Sequence, residues 1–137
     1  MFKSVVVGAS GSEAGARAVQ RAIEVAQASG GTLHIVTAIR AHRPNGPVLP
    51  EEFRYSVGPV DPADVLLSEL GAAASAARVP VSTHTVLADP VEAITRIAAE
   101  EEADLIVVGA PSSHGVHHRH GVPGALAAAA PCAVLVV

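Results

Sequence analysis

The chain has no tryptophan, one tyrosine, two phenylalanines and one cysteine among its 137 residues. With Phe2, Phe53 and Tyr55 as the whole aromatic complement, there is no platform on which single-stranded nucleic acid could stack. Its nine Lys and Arg are scattered singly against 13 Asp and Glu, for a net charge of −4. No basic stripe is left to meet a DNA or RNA backbone. A lone Cys132 excludes an intrachain disulfide and fits a reducing, cytoplasmic setting, which is the expected localisation. Long apolar runs are also missing. The longest, Ala125 to Val137, is interrupted by Pro131 and falls short of the roughly 20 residues a membrane helix requires. Met1-Phe2-Lys3-Ser4 leads into an apolar run too short for a secretory signal.

Half the residues are apolar, in short runs divided by Gly, Pro and charged stretches, as in one globular domain with a buried core. Val5-Val6-Val7 reads as a strand covered on both faces. A helix over Ser12 to Ser29 follows, with Ala18, Ala22, Val25 and Ala26 at helical spacing and Gly30-Gly31 as its stop. Ser10 and Glu13 have the spacing of a capping box. Thr32 to Ile39 is the second strand. Arg40 to Val60, with four prolines and two glycines, is a loop of functional length. Asp61-Pro62 opens a helix to about Ala77, and Val81 to Leu87 alternates as a third strand. Asp89-Pro90, with Glu92, repeats the helix-start signal for a helix to about Glu102. Asp104 to Gly109 is the fourth strand, Val122 to Ala129 a short helix, and Ala133 to Val137 the fifth strand.

Strict alternation of strand and helix implies a parallel sheet with helices on both faces. Ligands of such sheets bind beyond the carboxyl ends of the strands, where the strand order reverses. Several chemistries lack their residues there. Gly8, Gly11 and Gly15 do not have dinucleotide-fingerprint spacing, and the Walker and nucleophile-elbow patterns are absent. The first strand ends at Ala9-Ser10, without the carboxylates of a response-regulator receiver.

Four segments together resemble the universal stress proteins: Val5 to Glu13, Ala88-Asp89-Pro90 with its helix, Ala103 to Gly109, and Ala130 to Val137. The resemblance spans nearly the whole chain apart from Arg40 to Val60. It implies a single domain over 1–137 with a five-stranded parallel sheet of order 3-2-1-4-5. This is a Rossmann-like three-layer sandwich of the adenine-nucleotide alpha-hydrolase type. It also implies a homodimer paired through the last strand, Ala133, Val134, Leu135, Val136 and Val137, and a pocket for ATP or another adenine nucleotide. The family signature for that pocket, G-x2-G-x9-G-[S/T], is kept in part. Gly109 matches its first glycine, Ser112 stands at the second, His120-Gly121-Val122-Pro123 replaces Gly-Ser-Val-Pro, and the loop is two residues shorter. Ser10 occupies the place of the family's nucleoside-holding Asp.

The expected pocket is therefore Gly8, Ala9, Ser10, Ala38, Val108, Gly109, Ala110, Ser112, His120, Gly121 and Val122, degenerate toward a triphosphate. The expected role is binding and regulation in stress physiology without catalysis, through nucleotide or through protein surfaces. The competing roles are an ATP- or cyclic-AMP-binding switch, a weak nucleotide hydrolase, and a metal-responsive protein. His114, His117, His118 and His120, crowded into one loop with Arg119, are candidate metal ligands, anion contacts or a solvated patch. His34 reads as a satisfied core or interface histidine, Asp61 and Asp89 as helix caps, Glu100 to Glu102 as a solvated helix end, and Cys132 as buried packing.

Overall fold

The computed structural model describes residues 1–10, 13–39, 62–110 and 122–137. Their elements, in chain order, are β1 Ser4–Gly8, α1 Glu13–Ser29, β2 Thr32–Ile39, α2 Pro62–Ala76, β3 Val81–Leu87, α3 Pro90–Glu100, β4 Leu105–Val108, α4 Val122–Ala129 and β5 Ala133–Val136. The predicted alternation is thus observed, with ends shifted by one or two residues. The loop Arg40 to Val60, the cap Asp61 and residue Ser12 lie outside the described residues.

The five strands pair in parallel in the order β3-β2-β1-β4-β5. Central β1 explains the valine triplet. Val5, Val6 and Val7 are fully buried because both faces of the sheet are covered. Val5 and Val7, with Leu33, Ile35, Leu105 and Val107, pack against Ala18, Val19, Ala22, Ile23 and Ala26 of α1 and Leu67 and Ala74 of α2. Val6, Val36, Ile106 and Val108 pack on the other face against Ala93, Ile94, Ile97 and Ala98 of α3 and Leu126 of α4. Right-handed crossovers account for this division. Moving outward from β1 to β3 lays α1 and α2 on one face; the reversed direction through β4 and β5 lays α3 and α4 on the other. The reversal opens a crevice beyond the carboxyl ends of β1 and β4.

Three helices end in one hydrogen-bond pattern, with a residue in the left-handed region. Gly30 (φ 68°) follows α1, with the Gly31 N–H donating to Ala26 at 3.0 Å. Arg78 (φ 61°) follows α2, and the Val79 N–H donates to the Ala74 carbonyl at 3.0 Å. Glu102 (φ 49°) follows α3, and the Ala103 N–H donates to the Ala98 carbonyl at 2.8 Å. Each is a Schellman closure, and only the first uses the residue that adopts this conformation without penalty. At the start of α3, Asp89 accepts from the N–H groups of Val91 and Glu92 at 3.0 and 3.3 Å, as the cap reading requires. Glu92 pairs with Arg96 one turn on, at 2.8 Å.

The amino ends of the central strands are closed by a carboxylate. Asp104 accepts from the N–H groups of Lys3 and Ser4 at 2.8 and 3.1 Å, while its own N–H donates to the Ser4 carbonyl at 3.0 Å. Burial on its own would raise the carboxyl pKa. The N–H groups of Lys3, Ser4 and Asp104 itself, with the positive chain terminus, outweigh it and hold the pKa below its ordinary value.

Candidate functional site

The crevice is walled by backbone and small side chains. Ala9 continues β1 and donates its N–H to the Val36 carbonyl at 2.9 Å, tying the exit of β1 to β2. Ala110 leaves β4 and donates to the Val137 carbonyl at 2.8 Å, and Val137 donates to Val108 at 2.9 Å. Gly8, Ala9 and Ser10 therefore stand beside Val108, Gly109 and Ala110, with Ala38 on the neighbouring strand β2. Ser10 is exposed, Ala9 and Val108 are buried, and Ala38 is half-buried. Val122, at the start of α4, packs against the core beneath α3. Ser112, His120 and Gly121 lie outside the described residues, as do His114, His117 and His118.

The glycines at the exits of β1 and β4 serve packing. A Cβ on Gly109 would run into the backbone carbonyl of Ala14, in the first turn of α1. A Cβ on Gly8 would meet the Ile94 side chain of α3, with Cδ1 at 2.6 Å. Each glycine lets a helix settle onto a strand end. One consequence matters chemically: the absence of a side chain at Gly109 lets the amino end of α1, the positive end of its dipole, lie against the mouth of β4. A phosphate or other anion suits that position.

The carboxylate nearest the exit of β3, Asp89, is engaged in capping α3. The buried Thr37 hydroxyl, next to Ala38 in β2, has no hydrogen-bond partner among the described residues. An unpaired buried hydroxyl costs about 1–3 kcal/mol, so a polar ligand atom reaching it would be stabilised.

The opposite end of the sheet holds a cluster that residue spacing does not reveal. His34, 6% exposed, is buried as a core histidine should be, but it is not alone. Its Nδ1 lies 3.1 Å from Nε2 of His84, and its Nε2 lies 3.8 Å from the Glu101 carboxylate. Burial is the main influence on the His34 ring and lowers its pKa. Glu101 opposes that shift, and His84 adds to it. The signal for this pairing is the β2–β3 register, in which His84 stands opposite Val36, two residues from His34. Glu101, read as part of a solvated helix end, turns out to approach the sheet. Cys132 is half-buried rather than buried. Burial and the Asp104 charge raise its thiol pKa, which keeps it protonated and unreactive at neutral pH.

The family model described as the universal stress protein family matches residues 1–137. Universal stress protein Rv1636 of Mycobacterium tuberculosis is 31% identical over 110 residues, covering 79% of this chain and 75% of its own length. A crystal structure of a universal stress protein in complex with cAMP is 32% identical, covers 99% of this chain and 97% of its own, and superposes with a TM-score of 0.76. A family member from Burkholderia pseudomallei, 22% identical, covers 99% of this chain and 96% of its own with a TM-score of 0.73, and shares the fold.

Proposed function

Because this chain belongs to the universal stress protein family, we propose that it is a regulatory module that binds an adenine nucleotide carrying a single phosphate, such as cyclic AMP, without catalysing a reaction. The observation that carries this reading is the relative bound to cAMP, 32% identical and matched over 99% of this chain. Three features of the chain agree with it. The departures at Ser112 and His120 fall on the signature that grips a triphosphate chain, so a ligand with one phosphate loses least by them. The amino end of α1, close against Gly109, turns the positive end of its helix dipole toward one anionic group. Asp89, committed to its cap, is unsuited to act as a general base.

The module acts as a homodimer. β5 is the outer strand of the sheet, and its Leu135 and Val136 are 37% and 46% exposed in the single chain. An apolar edge strand of this kind is protected when a second copy pairs with it. Val136→Lys is expected to give a folded monomer by sedimentation, while an unchanged dimer would place the interface elsewhere.

Calorimetric and thermal-shift titrations with cyclic AMP, AMP, ADP and ATP test the ligand. The expected order is cyclic AMP or AMP ahead of ATP, with the melting temperature rising with the logarithm of ligand concentration. No shift with any of them at millimolar concentration would leave a protein acting through its surfaces alone. Nucleotide turnover that disappears on changing Ser10 would make it an enzyme.

A further inference from the structure

We propose that His34, His84 and Glu101 form a binding site for a divalent transition-metal cation of the zinc type, at the pole of the sheet opposite the nucleotide crevice. The three residues come from separate elements. His34 is the third residue of β2, His84 the fourth of β3, and Glu101 the residue that closes α3. One ligand atom from each lies within 4.8 Å of the others. The imidazole nitrogens of the two histidines already stand 3.1 Å apart. Two nitrogens at about 2.0–2.1 Å from a tetrahedral zinc ion lie about 3.3–3.4 Å from each other, so a parting of the rings by a few tenths of an ångström lets a cation take the place of the proton now held between them. The carboxylate is the part that has to move, and it is the part with freedom to do so. Its side chain is 39% exposed and sits 3.8 Å from His34 Nε2, the ring nitrogen that does not face His84, so it has to swing toward the Nδ1 side to complete the site.

The donor set selects the ion. Two imidazoles and one carboxylate suit zinc, cobalt or nickel, whereas calcium and magnesium take oxygen ligands. Burial is graded across the site: His34 is buried, His84 half-buried and Glu101 exposed. Two nitrogens are thus held on the sheet, and the open side faces solvent, where water completes the coordination shell. The Ser4 hydroxyl donates to the Glu101 carbonyl at 3.2 Å and holds the end of α3 against β1, which limits the excursion of the Glu101 backbone. The bound cation would cross-link the outer strand β3, its neighbour β2 and the end of α3. Its effect is therefore a rise in stability and a fastening of the sheet edge, independent of the crevice.

The loop histidines His114, His117, His118 and His120 would confuse a simple titration, so the test begins by changing all four to Ala. In that background, cobalt(II) is expected to bind one per chain, with the visible absorption of a four- or five-coordinate nitrogen–oxygen site, and to be displaced by zinc(II). His84→Ala lies at a half-buried strand position and is expected to leave the fold intact by circular dichroism. Losing a residue that only orients a metal ligand already costs about 10–100-fold in metal affinity, so losing this ligand should weaken binding at least about 100-fold. Glu101→Gln should weaken it by about tenfold. Zinc should raise the melting temperature of the four-alanine protein and not that of its His84→Ala derivative. Absence of cobalt binding in the four-alanine protein, or binding unchanged by His84→Ala, overturns the proposal. Neither result bears on nucleotide binding, which is read separately at the other pole.

Discussion

The two poles of the sheet are built on opposite plans. At the carboxyl ends of β1 and β4, shape comes from main chain and missing side chains: Gly8, Ala9, Gly109 and Ala110. At the amino ends, order comes from polar side chains: Asp104 on the N–H groups of Lys3 and Ser4, and His34 with His84 and Glu101. The first plan leaves a surface that a ligand can approach through backbone groups. The second fastens strands to each other. The contrast is between an end fastened by side chains reaching across strands and an end shaped mainly by main chain.

The largest effect expected from challenging this contrast is at Gly109. Gly109→Ala places a methyl against the Ala14 carbonyl, which is main chain and can yield only if α1 moves, and should cost about 3 kcal/mol or more in denaturant unfolding. Gly8→Ala meets only the tip of the Ile94 side chain, which can rotate, and should cost about 1 kcal/mol. Equal costs would mean that the close approach of α1 to β4 is not what Gly109 permits.

At the other pole, Asp104→Asn replaces a charged acceptor of two N–H groups. On partly exposed bonds the loss should be about 1–2 kcal/mol at neutral pH. Its sign with pH is set by the lowered pKa. The ionised carboxylate stabilises the fold above the unfolded value of 3.8, and that contribution is lost as the pH falls through the lower folded value. The variant should therefore show a shallower loss of stability in acid than the parent. Identical acid profiles would remove Asp104 from the account. A smaller gain is expected at Glu102, which closes α3 at φ 49°. Glu102→Gly relieves the left-handed penalty and should stabilise by about 0.5–1 kcal/mol. A loss instead would mean that the side chain makes a compensating contact.

What could be read from residue order alone divides along the same line. Val5-Val6-Val7, the Asp89-Pro90 start of α3 and the Gly30 stop of α1 are local signals, and each appears in the structure where its chemistry implied. The strand order was legible too, and with it the end of the sheet at which the strand exits gather. The purpose of individual residues there was not. Gly109 looks like a phosphate-approach glycine in sequence, yet it and Gly8 are each accounted for by a helix packed on them. The amino-pole bonds were illegible for another reason. Asp104 lies 100 residues or more from its partners and His34 lies 50 from His84, so only the β1–β4 and β2–β3 registers bring them together. Cys132, apolar in its local context, is half-buried because β5 is an outer strand, a property of the sheet and not of the tripeptide.

Amide chemical shifts of the isotope-labelled protein titrated with cyclic AMP test the account most directly, because they report both poles in one spectrum. Movement confined to the exits of β1, β2 and β4, at Ala9, Ser10, Ala38, Gly109 and Ala110, with Ser4, His34, His84 and Asp104 unmoved, is the predicted result. Saturable shifts centred on the amino pole, or a spectrum indifferent to nucleotide, would contradict it.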